Sequence, residues 1–261
     1  MLIGQDSLKG RLIELLNSDN LPNTIIFIGP KGQGKRTVAH WLAEQMEAPV
    51  YIPPDLKIDS IRELNADSRT ISSPKIYLLA DAEDMTVQAQ NALLKLAEEP
   101  PENAYIIITV QDTAALLQTI LSRSITFRLD GYTMDELYQF TGDDELIKIA
   151  GNPGTINKLS EMDYEGLLKH AKKVVANIGK ISASNAFNIL KGIDKEDYEL
   201  FIPMLIHAYG EMVAQGIKCG EQLTVLYETK NLLERSKSVN KQNALEMMFI
   251  RLREAARNEV Q

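Results

Sequence analysis

The residues with the clearest chemical potential lie in one stretch, Gly29-Pro30-Lys31-Gly32-Gln33-Gly34-Lys35-Arg36-Thr37. Its spacing fits G-x-x-x-x-G-K, a loop that cradles phosphates. Glycines let the backbone curl so that successive N–H groups point at phosphate oxygens, and a helix N-terminus adds partial positive charge. Lys35 would then reach the β- and γ-phosphates. Gly29, Lys31, Gly32, Gln33, Gly34, Lys35, Arg36 and Thr37 are therefore the candidate nucleotide-binding residues. The eighth position departs from the pattern. Arg36 stands where Ser or Thr would ligate Mg²⁺, and a guanidinium only donates. Thr37 lies about 100° further around a helix and does not simply substitute. Nucleotide binding can survive this change while metal-assisted hydrolysis suffers. The plainer reading is a glycine-rich turn between a strand and a helix, with a surface lysine.

Hydrolysis needs a second element, a carboxylate at the end of a buried strand. The apolar run Lys75–Leu79 is followed by Ala80-Asp81-Ala82-Glu83-Asp84, which leaves Asp81 as the one carboxylate at that spot. Metal coordination and a solvated loop position are equally open for Asp81, and Glu83 and Asp84 read as surface charge. His40, His170 and His207 are isolated in sequence, which argues against hydrolase chemistry. The single cysteine, Cys219, excludes an intrachain disulfide and a cysteine-based zinc module. Trp41 and the pair Met247-Met248 read as core filling.

The elements that must hold these residues can be read from apolar periodicity. Thr24–Ile28 is a short, almost wholly apolar run ahead of the glycine loop, as a strand buried on both faces requires. Pro49–Ile52, Lys75–Leu79, Tyr105–Val110 and Ile125–Leu129 read as four further strands. Helical spacing falls between them, over 6–18, 38–46, 58–64 and 88–97. Strands separated by helices predict parallel pairing. After Gly131 the patterns are helical, with Leu223, Leu226, Tyr227 and Leu233 on one face and Leu245, Met248, Phe249 and Leu252 on another.

Composition sets outer limits. The 261 residues are 44% hydrophobic and 25% charged, with 28 Lys+Arg against 36 Asp+Glu, a net charge of -8. Global disorder is excluded, and a broad electrostatic footprint on DNA is disfavoured. The start, Met1-Leu2-Ile3-Gly4-Gln5-Asp6-Ser7, has no basic, long apolar leader, and no run approaches the ~20 apolar residues of a membrane span. A cytoplasmic protein without a membrane partner is expected.

Several ordered motifs carry a resemblance. Asn91-Ala92-Leu93-Leu94-Lys95-Leu96-Ala97-Glu98-Glu99-Pro100-Pro101 looks like the NALLKxLEEPP segment of clamp-loader subunits, with Ala97 replacing a leucine. Ile120-Leu121-Ser122-Arg123-Ser124 resembles their SRC motif, with Ser124 in place of Cys. Ile3-Gly4-Gln5 and Leu21-Pro22 also fit, and Ile58–Leu64 matches I-x-x-I-R-x-L. Ala150-Gly151-Asn152-Pro153-Gly154 is similar to the lid segment of the delta-prime subunit of bacterial DNA polymerase III. Over about residues 1–160 the chain thus resembles the AAA+ clamp-loader family, while the C-terminal helices agree in kind only.

The resemblance implies an α/β fold: an AAA+ P-loop domain with a five-stranded parallel sheet at 1–130, a small helical lid at 131–161 and an all-helical collar at 162–261. It implies gamma/tau-type and delta-type clamp-loader subunits as partners in a five-membered ring. Such a ring uses ATP between subunits to close a sliding clamp on primed DNA during replication. Arg123 falls on the family's arginine finger, a residue that acts in trans on a neighbour's γ-phosphate. Its plainer reading is a structural or surface arginine. Arg36, Ala80 at the Walker-B aspartate and Gly154 at the lid's sensor arginine depart from the motor pattern. Thr109 and Gln111 are both open as the first sensor. The segment from Met46 to Lys75 is too short for the family's zinc-binding module. The expectation is a non-motor, delta-prime-like subunit of a DNA polymerase III clamp loader. It would have no independent ATPase, ATP or ADP as its candidate nucleotide, no zinc, and Mg²⁺ absent or weakly held. The alternative is an active gamma/tau-like ATPase in which Thr37 and Asp81 restore the metal site. A P-loop kinase is a third and weaker reading, since it does not call for the two motifs around Asn91 and Arg123.

Overall fold

Short runs of β-branched and aromatic residues build one sheet. The computed structural model describes residues 2–182, 189–191, 193, 197–235 and 239–258. The chain divides into two compact units, Met1–Gln139 and Phe140–Gln261.

In the first unit the order is α1 (Asp6–Asn17), β1 (Thr24–Ile28), α2 (Lys35–Gln45), β2 (Val50–Tyr51), α3 (Ile58–Asp67), β3 (Lys75–Leu79), α4 (Val87–Glu98), β4 (Ala104–Val110), α5 (Gln118–Leu121), β5 (Ile125–Arg128) and α6 (Met134–Tyr138). The five strands pair in the order β2-β3-β4-β1-β5, all parallel. Parallel strands need crossover connections, and the helices that supply them cover both faces. Every residue of β1 is consequently buried, which is why its sequence shows no alternation. One face packs Ile26, Ile28, Tyr77, Leu79 and Ile108 against α3 and α4 residues such as Ile61, Leu64 and Leu93. The other packs Ile25, Phe27, Leu78 and Ile107 against α1 and α2 residues such as Leu12, Val38 and Leu42, with Trp41 half-buried at its margin.

The second unit contains only helices among its described residues: α7 (Asp144–Ala150), α8 (Pro153–Ser160), α9 (Tyr164–Asn177), α10 (Tyr198–Ala214), α11 (Gly220–Arg235) and α12 (Lys241–Asn258). Parts of the stretch expected as a collar, 162–261, lie outside the described residues. On α12 the expected stripe is buried: Leu245, Met248, Phe249 and Leu252. Met247, expected as core filling, is instead exposed. On α11 the buried stripe is Gln222, Val225, Leu226, Thr229 and Leu233, so Tyr227, expected beside Leu226, points to solvent. Two polar residues, Gln222 and Thr229, complete that stripe. The Thr229 hydroxyl is satisfied within its own helix, donating to the Val225 carbonyl at 2.8 Å.

The first turn of α7 depends on Asp143. Its Oδ1 accepts from the Glu145 and Leu146 N–H groups, both at 3.0 Å, and Oδ2 accepts from the Tyr164 hydroxyl of α9. The Leu146 N–H first, then the Tyr164 hydroxyl, hold the carboxyl below the ordinary aspartate range. A depressed carboxyl stabilises the fold above its unfolded pKa of about 4 and loses that contribution as pH falls through the lower folded value. Asp143→Ala is therefore expected to cost about 1 kcal/mol at neutral pH. The gap between the two proteins should narrow on acidification below the unfolded value. Urea denaturation at neutral and at acidic pH checks both statements, and a gap that widens in acid contradicts them.

Candidate functional site

The glycine loop hangs from the end of β1. Gly29 is buried and its N–H donates to the Val110 carbonyl at 3.2 Å, tying the loop to β4. Gly32 and Gly34 have φ of +83° and +90°, backbone that side chains rarely adopt. A β-carbon at Gly34 would also lie 3.0 Å from the Tyr132 hydroxyl. Gly34 is the N-cap of α2, so the helix begins at Lys35, three residues before the first apolar residue of its stripe. Lys31 and Thr37 are exposed, and Gln33 is buried.

Lys35 is 6% exposed, and its ammonium donates to the carbonyls of Gly29 at 2.6 Å and Pro30 at 3.0 Å. Burial pushes it below the ordinary lysine range, and the charges of Glu83 and Asp81 offset part of that shift. Arg36 turns the other way. Its Nη2 donates to Asp81 Oδ2 at 2.5 Å. Asp81 follows β3 in left-handed backbone, φ +54°, a conformation that aspartate tolerates better than most residues. Its N–H donates at 2.9 Å to the hydroxyl of Thr109, a fully buried β4 residue. Glu83, expected as surface charge, belongs to this site. One carboxylate oxygen accepts from the Gln111 N–H, and the other is buried with no hydrogen-bond partner. The end of β3 therefore carries two carboxylates near Lys35. Thr109 and Gln111, both candidates for the sensor, orient Asp81 and Glu83 respectively.

Other contributors left little trace in the sequence. The Gln33 side chain donates to the Asp130 carbonyl at 2.5 Å, and the Gln5 amide both donates to and accepts from Asp130 backbone at 2.8 and 2.9 Å. The Tyr132 hydroxyl donates to the Gln33 carbonyl at 3.2 Å. The segment after β5 is thus stapled to the glycine loop and to the Ile3-Gly4-Gln5 segment. Gln5 carried an advance signal through that motif and Gln33 through the loop pattern, whereas Asp130 and Tyr132 carried none.

Arg123 lies just past α5. It is bonded to the Thr119 carbonyl and the Ser122 hydroxyl at 3.0 and 3.3 Å, and it pairs with Glu98 at 3.0 Å. Its side chain is 38% exposed and that of Glu98 48%. The pair joins the two motifs around Asn91 and Arg123. At such exposure it is worth about 0–1 kcal/mol, so the guanidinium can be redirected at small cost.

In the second unit His207 is not isolated. Its Nε2 is 3.6 Å from Glu145 and 3.7 Å from Glu211, and these three could offer ligand atoms to a metal. The Lys172 ammonium, however, sits 3.0–3.1 Å from those same carboxylates. That arrangement is an ion-pair network with its cation already supplied. His170 also has a structural role, stacked on Phe201 with a ring separation of 5.4 Å.

The sheet order, the glycine loop after β1 and the carboxylates after β3 define an AAA+-like P-loop fold followed by an all-helical region. Among solved structures, the fold is similar to a DNA polymerase III gamma subunit-related protein of Thermotoga maritima (TM-score 0.59, 22% identity, 95% of this chain and 99% of that one). It is also similar to the RuvB branch migration motor of the same organism (TM-score 0.53, 16% identity, 88% of each). Residues 53–133 match the family model described as DNA polymerase III, delta subunit. The tau subunit of Escherichia coli DNA polymerase III is 25% identical across 98% of this chain. A gamma/tau subunit of Mycoplasma genitalium is 26% identical across 72%, and a replication factor C small subunit of Staphylothermus marinus 25% across 72%. The chain is similar to DNA polymerase III and replication factor C subunits of the AAA+ clamp-loader kind. It spans 47% of the Escherichia coli relative and 36% of the Mycoplasma one.

Proposed function

We propose that this chain is a non-motor, delta-prime-like clamp-loader subunit that supplies Arg123 to a nucleotide held by a neighbouring ATPase subunit. The observation that carries this reading is the Arg36–Asp81 pair, 2.5 Å apart. It puts a guanidinium of the same chain, in place of a metal-ligating hydroxyl, against the carboxylate that a motor would turn toward metal and water; the pair is exposed, so the chemistry of the position supports the reading and not the strength of the pair. The accessible, weakly held Arg123 is suited to the trans role. In this reading residues 131–161 act as a lid and 162–261 as a collar. The partners are gamma/tau-type and delta-type subunits in a five-membered ring, and the sliding clamp and primed DNA are engaged through that assembly.

The similar proteins favour a second reading, because several of them are tau or gamma/tau subunits. There the chain is an active ATPase, with Asp81 released from Arg36 and Thr37 turned to the metal.

Steady-state ATPase of the purified chain with Mg²⁺ separates the two. The first reading predicts turnover indistinguishable from a Lys35→Ala control. Turnover at ordinary motor rates of about 1–10³ s⁻¹, abolished by Lys35→Ala, would establish the second. Co-purification with gamma/tau-type and delta-type subunits tests the assembly.

A further inference from the structure

The fold family implies a magnesium ion between the phosphates and the end of β3, and the residues here do not fit one. Mg²⁺ demands close to six oxygen ligands in octahedral geometry, usually with one or two carboxylates among them. The position that should offer a hydroxyl offers a guanidinium, which has no lone pair to give. Asp81 is already held by that guanidinium at 2.5 Å. Glu83 accepts the Gln111 N–H with one oxygen; its other oxygen, buried without a hydrogen-bond partner, is the one carboxylate oxygen left open, and a single such oxygen does not make a Mg²⁺ site. A dication placed here would face the like charge of the Arg36 guanidinium, which sits against Asp81.

Arg36 spans the gap the ion would bridge. It starts in the first turn of α2 beside the phosphate-binding loop and ends on the carboxylate after β3. We infer that the glycine loop takes a nucleotide polyphosphate free of divalent metal, with the Arg36 guanidinium serving as the fixed cation between the phosphates and Asp81. One Nη of Arg36 is bonded to Asp81, and the guanidinium fork has further N–H groups for phosphate oxygens. Lys35 is the second charge. Side-chain charge then balances, with Lys35 and Arg36 against Asp81 and Glu83, so the loop N–H groups and the α2 N-terminus carry the remaining attraction for phosphate. The same arrangement provides no metal-polarised water, in keeping with a chain that does not hydrolyse what it binds. This inference rests on the non-motor reading proposed above and specifies its ligand.

The test is equilibrium binding of ATP to the full chain, by calorimetry, in EDTA and in excess Mg²⁺. The expected result is binding in EDTA that Mg²⁺ leaves unchanged or weakens by drawing ATP into its metal complex. Arg36→Ala should lower affinity in EDTA by about tenfold or more, as loss of a charge-assisted contact does. Arg36→Thr should convert the site to one that Mg²⁺ tightens. Arg36 is an exposed side chain, so both variants are expected to keep the fold, which far-UV circular dichroism checks. Binding to the unaltered chain that Mg²⁺ tightens about tenfold, the size of one lost charged contact, would overturn the inference. So would absence of ATP binding in both conditions. A chain that binds no ATP would still leave the trans role of Arg123 to its own assay. Magnesium-tightened binding with turnover would remove both.

Discussion

Arg123→Ala is expected to lower the ATPase rate of a reconstituted clamp-loader assembly by about 10³-fold, the lower end of what removal of an arginine finger does. The prediction belongs to the proposed trans role. A guanidinium brought to the γ-phosphate stabilises charge that grows on the equatorial oxygens in the transition state, where a planar, permanently charged fork is most effective. Within this chain Arg123 makes only an exposed ion pair and two hydrogen bonds at the end of a short helix. Its removal should therefore leave the subunit folded and able to assemble, as size-exclusion chromatography of the assembly would show. Glu98→Ala frees the guanidinium from its own-chain partner and should change the rate by severalfold at most, because the pair it breaks is worth about 0–1 kcal/mol. Arg123→Lys should recover only part of the loss, since an ammonium keeps the charge but not the fork. An unchanged rate in an intact assembly containing Arg123→Ala would end the trans assignment.

The second large effect concerns the scaffold. Phe27→Ala is expected to destabilise the first unit by about 3–5 kcal/mol. Phe27 is fully buried in β1, in register with Thr109 of β4 and Phe127 of β5, and its ring lies 6.2 Å from that of Phe127. A cavity there has packed neighbours on every side: two strands in the sheet plane and α1 and α2 across one face. The loss is a large part of the roughly 5–15 kcal/mol that holds a domain together. Trp41, the one tryptophan, packs against this same core, so its fluorescence during urea denaturation reports on this unit. A loss below about 1 kcal/mol, the cost of a conservative swap, would mean that the site collapses around the cavity, contrary to the packing described here.

Contiguous features were legible in the amino-acid sequence alone. Strands buried on both faces must be short apolar runs, and all five strands were expected within one residue of their observed ends, from Thr24–Ile28 to Ile125–Arg128. The phosphate loop was legible because its chemistry sits in consecutive residues with fixed glycine spacing. Helix faces were legible where the stripe is wholly apolar, as on α12. They were misjudged on α11, where Gln222 and Thr229 are buried and Tyr227 is not.

The sequence by itself determined the sheet-and-helix layout, the glycine loop and the missing hydroxyl at Arg36. Only the tertiary structure decided that Arg36 meets Asp81 across 45 positions, that Arg123 rests on Glu98, that Tyr132 lies on the glycine loop and that Glu83 turns inward. None of these pairs lies within helical reach along the chain. Three form because parallel crossovers bring the C-terminal ends of β1, β3, β4 and β5 to one edge of the sheet, while Arg123 and Glu98 meet at the opposite edge, ahead of β5 and β4. Strand order is set by packing on both faces, a property of the whole unit that no local pattern encodes.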